Sequence, residues 1–296
     1  MKNYLKYIIV FLILYLVYKI YSIFNDQPIQ LPKYEYPRII WAYWDDVTKL
    51  PLIVKNILYA RTIKLEDSVI NKWDVKFLDK NTVCEYINKD EYPRNYSILG
   101  PAHQADWIRL YLLKHYGGIW LDSGIIINSV DAFNRLYHES VDYNSELTCF
   151  YLNSKTINND PMTFIENWYI LAPKNSRVIN AWYDEYTLAI HMGFLSYRHD
   201  LTHKGVIADQ VYLWGPQDTY LTMHAALLKI IQLNIVKDPN ILLYKAEDTM
   251  FKLHEICDWD SNCIINKLKT DKSIKNIPYI KLRGTDRQDG NFTITL

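Results

Sequence analysis

The sequence lacks an excess of charge of either sign, since its 296 residues include 33 lysines and arginines and 33 aspartates and glutamates. Nucleic-acid-binding surfaces need a surplus of basic residues, so this balance argues against a nucleic-acid partner. The sequence also has no Cys-x-x-Cys or His-Glu-x-x-His spacing and no glycine-rich phosphate loop. These absences argue against a zinc site of those classes, a dehydrogenase and an ATPase.

Only one stretch of the sequence is apolar enough to enter a bilayer, and it contains no charge from residue 7 to residue 18. Lys6 and Lys19 flank this run and can extend their amines to the interface. Residues 4–24 therefore supply the roughly 20 residues that a membrane-spanning helix needs. No small-x-small cleavage motif follows, which favours an uncleaved anchor over a signal peptide. We predict a transmembrane signal anchor over residues 1–24.

More positive charge precedes this span than follows it. The positive-inside rule then predicts a single-pass type II membrane protein with its main domain in the ER or Golgi lumen. Residues 25–37 contain three prolines and no periodicity, so we predict a stalk there. Residues 38–296 are predicted to form one domain.

Strand-like and helix-like segments alternate along the first part of that domain. A β-prone run over residues 38–44 precedes a helical pattern over residues 50–64. A second strand over residues 73–78 precedes a helix that Asp79 can cap, and Ser129 is placed to cap a later one. This alternation predicts an α/β fold with a mixed sheet flanked by helices.

Residues 102–115 carry apolar side chains on almost every helical face, which predicts a largely buried helix. Asp106 and Arg109 interrupt this pattern at a spacing of three, so their side chains lie on one face. A charged pair in an apolar helix needs compensating partners or a ligand. Considered alone, the pair is consistent with a structural ion pair as well as with a ligand site.

The pattern changes abruptly after this helix. Gly117 and Gly118 predict its end, because glycine adopts the left-handed conformation that closes a last turn. Residues 119–121 are apolar without alternation, as in a central strand covered on both faces. This strand places Asp122 at its carboxyl end, where open α/β sheets bind ligands. Together with the charged pair of the helix, this carboxylate predicts a polar pocket.

The helix and strand also carry a family resemblance. Asp106-x-x-Arg109 followed by Tyr116-Gly117-Gly118-Ile119-Trp120-Leu121-Asp122 resembles the donor-site signature of GT-A-fold glycosyltransferases. It is similar to that of capsular polysaccharide synthesis proteins and of the related glycosyltransferase family 32 group, which includes initiating mannosyltransferases and glycosylating toxins. The resemblance implies a GT-A-like, Rossmann-like fold. It also implies a hexosyltransferase that moves a sugar from a nucleotide-sugar donor to a glycan or polysaccharide acceptor with retention.

The same resemblance implies a divalent metal, Mn²⁺ or Mg²⁺, held by an Asp-x-Asp sequence at the end of the strand. Here the sequence reads Asp122-Ser123-Gly124, so the second carboxylate is missing. Asp122 alone remains as a predicted metal ligand.

The resemblance assigns roles to further residues. Trp44 would stack on the nucleotide base, and Asp106 and Arg109 would hold ribose or sugar hydroxyls of the donor. Asp122 would bind ribose, or a metal through water. Asn167 lies in a sequence similar to the family's Asn-Trp-aromatic strand and would contact the transferred sugar. Without the resemblance, Trp44 is equally consistent with a core tryptophan and Asn167 with a locally satisfied amide.

Two segments nearer the carboxyl terminus also resemble family elements. The spacing Asp218-x-Tyr220-x-x-x-His224 predicts a helix with Asp218 as its N-cap. His224 would meet the acceptor or the diphosphate, and a satisfied core histidine is the other interpretation. Lys281 matches a basic family element, so Lys281 or Arg283 would share the charge of the diphosphate.

The four cysteines indicate little about function. Cys257 and Cys263 bracket a short loop and are placed to form a disulfide in a luminal compartment. Cys84 and Cys149 are predicted to be core residues.

Two other functions remain open from the sequence. A non-catalytic carbohydrate-binding protein could keep this fold after losing the second acidic ligand. A hydrolase could use Asp106 and Asp122 as paired acids. In a luminal domain, Asn95 and Asn291 would begin glycosylation sequons of a glycoprotein.

Overall fold

The computed structural model describes residues 15–16, 33–66, 72–212 and 218–287. The chain divides into a unit of residues 1–33 and a unit of residues 34–296. Apart from Tyr15 and Leu16, the predicted anchor over residues 1–24 lies outside the described residues, as does most of the predicted stalk over residues 25–37. In the described ranges, no helix has the length and apolarity that a membrane crossing requires.

The larger unit is built on a mixed sheet with the strand order β2-β1-β3-β6-β5-β7. β1 pairs in parallel with β2 and β3, β5 pairs in parallel with β7, and β6 runs antiparallel to β3 and β5. A separate antiparallel pair joins β4 to β8. The strands are β1 Ile39–Tyr43, β2 Asp74–Leu78, β3 Gly118–Leu121, β4 Ile125–Ile127, β5 Leu147–Tyr151, β6 Tyr169–Ala172, β7 Ile241–Lys245 and β8 Tyr279–Lys281.

Helices flank this sheet in the described chain. Their bounds are α1 Leu52–Glu66, α2 Pro101–Tyr116, α3 Val130–Asp142, α4 Arg177–Met192, α5 Phe194–His203, α6 Thr222–Gln232, α7 Lys252–Ile256 and α8 Ser261–Thr270. The predicted α/β fold with a mixed sheet is therefore confirmed for the described part of the chain.

The junction between α2 and β3 follows from two glycines. Gly117 has φ 67° and Gly118 has φ 96°, a backbone region that side chains with a Cβ rarely adopt. A Cβ on Gly118 would also lie 2.5 Å from the Ile39 carbonyl oxygen on β1. The close approach lets β3 pair with β1 directly after the helix ends, so the predicted helix, break and strand are confirmed.

The core has a large cluster and a smaller one. The large cluster includes Trp41 of β1 and Trp107 of α2, both fully buried. The smaller cluster joins Ala42 of β1 to Ile53 of α1 and Ile280 of β8. Because neighbouring residues of β1 contribute to both clusters, this strand is covered on both faces.

Three local predictions were wrong. Asp79 caps a turn rather than a helix, since its Oδ1 accepts bonds from the backbone nitrogens of Asn81 and Thr82 and a single 3₁₀ turn follows. Asp218 is not an N-cap, because its carboxylate accepts from the Tyr220 nitrogen and α6 begins later, after Leu221. Cys84 is exposed, whereas Cys149 is buried as predicted.

The buried carboxylate of Asp286 stabilises the carboxyl-terminal part of the unit. Asp286 is fully buried, and its carboxylate contacts His254 Nε2 at 2.8 Å, Ser261 Oγ at 2.8 Å and Arg283 Nη2 at 2.9 Å. A disulfide joins Cys257 to Cys263 beside this group. These contacts fix the segment after β8 against α7 and α8.

Candidate active site

The site lies at the carboxyl end of β3. Asp122 follows this strand, and its backbone nitrogen donates to the Trp168 carbonyl oxygen at 2.9 Å. β6 runs opposite to β3, with Leu121 paired to Tyr169. The residues just before β6, which include Asn167, therefore approach the same end of the sheet as Asp122.

Arg109 joins the two predicted carboxylates. Its Nη1 lies 3.1 Å from Asp106 Oδ1, and its Nη2 lies 3.3 Å from Asp122 Oδ1. The guanidinium also packs on the Trp120 ring, with Cζ 4.7 Å from the ring centre. Because this planar group contacts both acids and an aromatic face, its orientation is fixed. The structure thus brings Asp106, Arg109 and Asp122 together, as predicted from their spacing.

Lys281 reaches Asp122 from the other side. Its Nζ lies 2.8 Å from Asp122 Oδ2, and Trp120 Nε1 donates to Asp122 Oδ1 at 2.9 Å. Burial alone would raise the pKa of the Asp122 carboxyl, but Lys281 and Arg109 outweigh it and lower that pKa to about 2. For Lys281 the balance is reversed, since burial lowers its pKa despite the bond to Asp122. Asp122 keeps 27% of its side chain exposed, so solvent and ligands can reach it.

Asp106 has a more enclosed environment. Its side chain is 10% exposed, and Asn167 Nδ2 donates to its Oδ1 at 3.1 Å. Burial raises the pKa of the Asp106 carboxyl, and the positive charge of Arg109 offsets only part of that effect. Asp106 and Asp122 therefore share one arginine but have pKa shifts of opposite sign.

Trp44 lies next to the site rather than in contact with the paired acids. It follows β1. The guanidinium carbon of Arg287 lies 5.6 Å from the centre of the Trp44 ring. The Arg287 side chain also borders Gly124, because a Cβ built there would lie 3.3 Å from Arg287 Nη1. Trp44, Arg287 and Gly124 thus form one edge of the site.

The donor set does not fit a divalent metal. Both Asp122 oxygens are already bonded, one to Arg109 and Trp120 and the other to Lys281. Mg²⁺ and Mn²⁺ prefer several oxygen ligands, and Gly124 provides none at the second position of the motif. Within the described ranges, no group of three or more acidic, histidine or cysteine side chains has metal-binding geometry.

Three other predicted site residues, His224, Asp218 and Arg283, lie outside the group of Asp106, Arg109, Asp122 and Lys281. His224 is buried, with Nε2 3.6 Å from Glu166 Oε2, and its ring nitrogens have no hydrogen-bond partner in the described chain. Asp218 precedes the same helix, α6. Arg283 lies outside the cluster, because its guanidinium bonds to Asp286 and to the Trp259 carbonyl oxygen.

Sequence reasoning missed three charged residues around Asp122. Arg61 of α1 is buried and donates from Nη1 to the Asp122 carbonyl oxygen at 3.0 Å, and burial lowers its pKa to about 10. Glu166 adjoins Asn167 and lies beside His224, and Arg287 borders Gly124. Glu166 could have been found from its place beside Asn167, whereas no pattern distinguishes Arg61 or Arg287 from surface arginines.

Curated relatives were found among fungal proteins. The chain is 30% identical over 162 residues to "Glycosyltransferase afumC" of Aspergillus fumigatus, covering 50% of this chain and 39% of that protein. It is 29% identical over 184 residues to "Probable glycosyltransferase FCK3" of Fusarium pseudograminearum, covering 59% of this chain and 42% of that protein. The chain therefore spans less than half the length of these relatives.

A solved structure that is similar to the chain is described as the crystal structure of a glycosyltransferase involved in the glycosylation of the major capsid of PBCV-1. It covers 85% of this chain and 97% of its own, with a TM-score of 0.39 and 9% identity.

A family model described as "Capsular polysaccharide synthesis protein" matches residues 2–190, which is more than half of the chain. This range includes Asp106, Arg109, Asp122 and Asn167, whose side chains meet at the end of β3. The predicted resemblance is confirmed, and the chain belongs to the capsular polysaccharide synthesis protein family.

Proposed function

We propose that the chain is a glycosyltransferase that moves a sugar from a nucleotide-sugar donor to a glycan or polysaccharide acceptor. The convergence of Asp106, Arg109, Asp122 and Lys281 at the carboxyl end of β3 carries this proposal. The names of the curated relatives agree with it. Sugar transfer needs a polar site that holds hydroxyl groups and stabilises a departing diphosphate, and this cluster has groups for both tasks.

The strand order suggests how the donor lies across the site. β1 and β6 flank β3, so Trp44 and Asn167 approach Asp122 from opposite sides. We assign the nucleotide base to the Trp44 side and the transferred sugar to the Asn167 side. A flat aromatic ring suits a base, and an amide can both donate and accept hydrogen bonds with sugar hydroxyls.

The charged cluster then fixes the donor between these ends. Asp122 remains ionised at neutral pH and accepts hydrogen bonds from ribose or sugar hydroxyls, while Arg109 holds its orientation. Asp106 is fixed by Arg109 and Asn167 and faces the sugar with them. His224 and Asp218 are assigned to the acceptor side through α6, with His224 acting beside Glu166.

Membrane anchoring through residues 4–24, a luminal location and retention of anomeric configuration are further parts of the proposal. The Cys257–Cys263 disulfide supports an oxidising compartment, where such bonds persist. Asn95, the first residue of one sequon, is exposed, and its Nδ2 donates to the Ile190 carbonyl oxygen at 3.4 Å. Retention follows from the family resemblance, and proton NMR of the product's anomeric linkage tests it.

The direct test is sugar release and transfer from a panel of nucleotide sugars by the full chain in detergent micelles. Wild type should consume at least one donor, and Asp122→Asn should lower that rate by at least about a hundredfold because it removes a charged contact to the donor. The matched control is Asp184→Asn, since that carboxylate is 68% exposed on α4 and pairs only with Lys114 in the described chain. A variant Asp122→Asn as active as wild type would contradict the proposed site.

The opposite pKa shifts of Asp106 and Asp122 also match the pattern of an acid and a base in glycoside hydrolysis. A hydrolase is therefore the second candidate. Release of free sugar from an oligosaccharide without any nucleotide would favour it. Binding of a nucleotide sugar without turnover would instead favour a carbohydrate-binding protein.

A further inference from the structure

We propose that Lys281 and Arg287, rather than a divalent metal, neutralise the diphosphate of the donor. This inference rests on the proposed function, and it concerns how the same site holds the leaving group. It follows from the positions of these cations around Asp122 and Gly124.

The first argument concerns Asp122. In a metal-dependent site this carboxylate would offer an oxygen to the cation, but here Oδ2 bonds to Lys281 Nζ at 2.8 Å and Oδ1 accepts from Trp120 and Arg109. A metal ion at either oxygen would lie against a positively charged nitrogen. Lys281 thus takes the place beside Asp122 that a metal ion would need.

The second argument concerns Gly124, where a second acid would stand in an Asp-x-Asp motif. A Cβ there would lie 3.0 Å from the Leu282 carbonyl oxygen and 3.3 Å from Arg287 Nη1. A carboxylate at this position would face a guanidinium. The chain therefore has a cation where the motif would have supported a metal ligand.

Arg287 is held in place by the backbone and forms no ion pair with the described residues. Its Nε donates to the Arg283 carbonyl oxygen at 3.0 Å, and Arg283 is in turn fixed by Asp286. In the part of the chain that the structure describes, no carboxylate lies within ion-pair distance of Arg287. A fixed guanidinium of this kind suits a phosphate, because its planar donors match two phosphate oxygens.

The local charge also favours an anion. Arg61 donates to the backbone carbonyl oxygen of Asp122, and its Nε and Nη2 are unpaired in the described chain, so three cations lie around this residue. Arg287 is a fourth cation, at the Gly124 edge. Burial lowers the pKa of Lys281, and the nearby charge of Arg287 lowers it further. A diphosphate between Lys281 and Arg287 relieves this repulsion.

In the transfer step these cations act on the leaving group. The bond between the anomeric carbon and the diphosphate oxygen breaks, and its electron pair goes to the diphosphate. The acceptor oxygen bonds to the anomeric carbon, and its proton passes to the departing diphosphate. Lys281 and Arg287 stabilise the negative charge that develops on that oxygen.

The test is calorimetric titration of the full chain in detergent micelles with UDP, GDP, ADP, CDP and dTDP, each in EDTA and in Mn²⁺. We expect one of them to bind with a dissociation constant that changes less than about threefold between the two conditions. Arg287→Met should weaken that binding by about tenfold to a hundredfold, as expected for lost charge-assisted hydrogen bonds. The matched control is Arg94→Met, because Arg94 is an exposed arginine in the segment before α2.

A second pair of variants protects the test against simple misfolding. Gly124→Asp combined with Arg287→Met should make the remaining binding depend on Mn²⁺, whereas the remaining binding of Arg287→Met alone should stay independent of Mn²⁺. Binding that needs Mn²⁺ in the wild type would overturn this inference and leave the proposed function intact. A chain that binds none of the nucleotides in either condition would overturn both.

Discussion

Asp122 is the residue that several elements of the site contact. Its carboxylate contacts Arg109 on α2 and Lys281 on β8, and its carbonyl oxygen accepts from Arg61 on α1. Elements that are distant in sequence therefore meet at one residue. The same carboxylate should contribute to stability as well as to the proposed donor binding.

We expect Asp122→Asn to lower the free energy of unfolding at pH 7 by about 2 kcal/mol, the linkage value of a carboxyl pKa lowered from 3.8 to about 2. This contribution is present above the unfolded-state pKa and is lost as the pH falls through the folded-state pKa. Urea unfolding followed by tryptophan fluorescence, repeated from pH 7 downward, measures it. The variant should lose less stability than wild type between about pH 4 and about pH 2. Equal losses in the two proteins would contradict the ion-pair assignment.

At this scale the sequence predicted the acids better than the cations. Asp106, Arg109 and Asp122 stood out because they interrupt or follow apolar segments whose structure was readable. Arg287 and Arg61 gave no such signal, since their roles depend on long-range packing of the carboxyl-terminal segment and of α1. Arg283 was named instead of Arg287, although its guanidinium is used by Asp286.

Among the elements, the turn between α2 and β3 sets the geometry of the site. Only Gly117 separates the end of α2 from the start of β3, and Gly118 lies so close to β1 that no side chain fits. Any shift of this turn would move Asp122 relative to Arg109, because the two lie on the elements that it joins.

Replacing Gly118 with alanine should destabilise the fold by about 3 kcal/mol or more, because the strain of positive φ is added to a clash with backbone. Gly193→Ala is the matched control, since Gly193 also has positive φ, at 78°, but has no atom within 4 Å of the added Cβ. Its cost should be about 1 kcal/mol. Thermal and urea unfolding of both variants would test the difference, and equal effects would show that the contact with Ile39 is unimportant.

Element existence was predictable here, but some element starts were not. α2 and β3 were found because their apolar patterns are long and a glycine pair separates them. Asp218 and Asp79 were misassigned as helix caps, because aspartate caps isolated turns by the same hydrogen bonds that it uses at helix starts. The aspartate accepts the same hydrogen bonds in an isolated turn and at a helix start. Only the residues that follow it decide whether a helix forms.

Over the whole described unit, the carboxyl-terminal segment completes a site that begins near the amino-terminal side of the domain. β8 pairs with β4, and this pairing brings Lys281 to Asp122 across 159 positions of sequence. Asp286 and the disulfide stabilise the segment that follows. A loss of either should loosen the position of Arg287.

Reduction of the Cys257–Cys263 disulfide should lower stability by about 2 kcal/mol, the value expected for closing a loop of this size. Urea unfolding with and without dithiothreitol measures this effect. Cys84→Ser is the control, because Cys84 is exposed and free and its replacement should change neither curve. An unchanged midpoint after complete reduction would contradict a stabilising role for the disulfide.

The mixed direction of the sheet has a consequence for how such a protein can diversify. β6 enters the sheet at the end where Asp122 lies, so the connection from β5 to β6 ends beside the charged cluster, where Asn167 contacts Asp106. On the proposed function, insertions in the part of that connection before Glu166 would alter which acceptors fit, while the strands and the contacts of Asn167 and Asp122 stayed as they are. Exchanging that part of the connection between relatives is therefore a route to a new acceptor preference that leaves Asn167 in place.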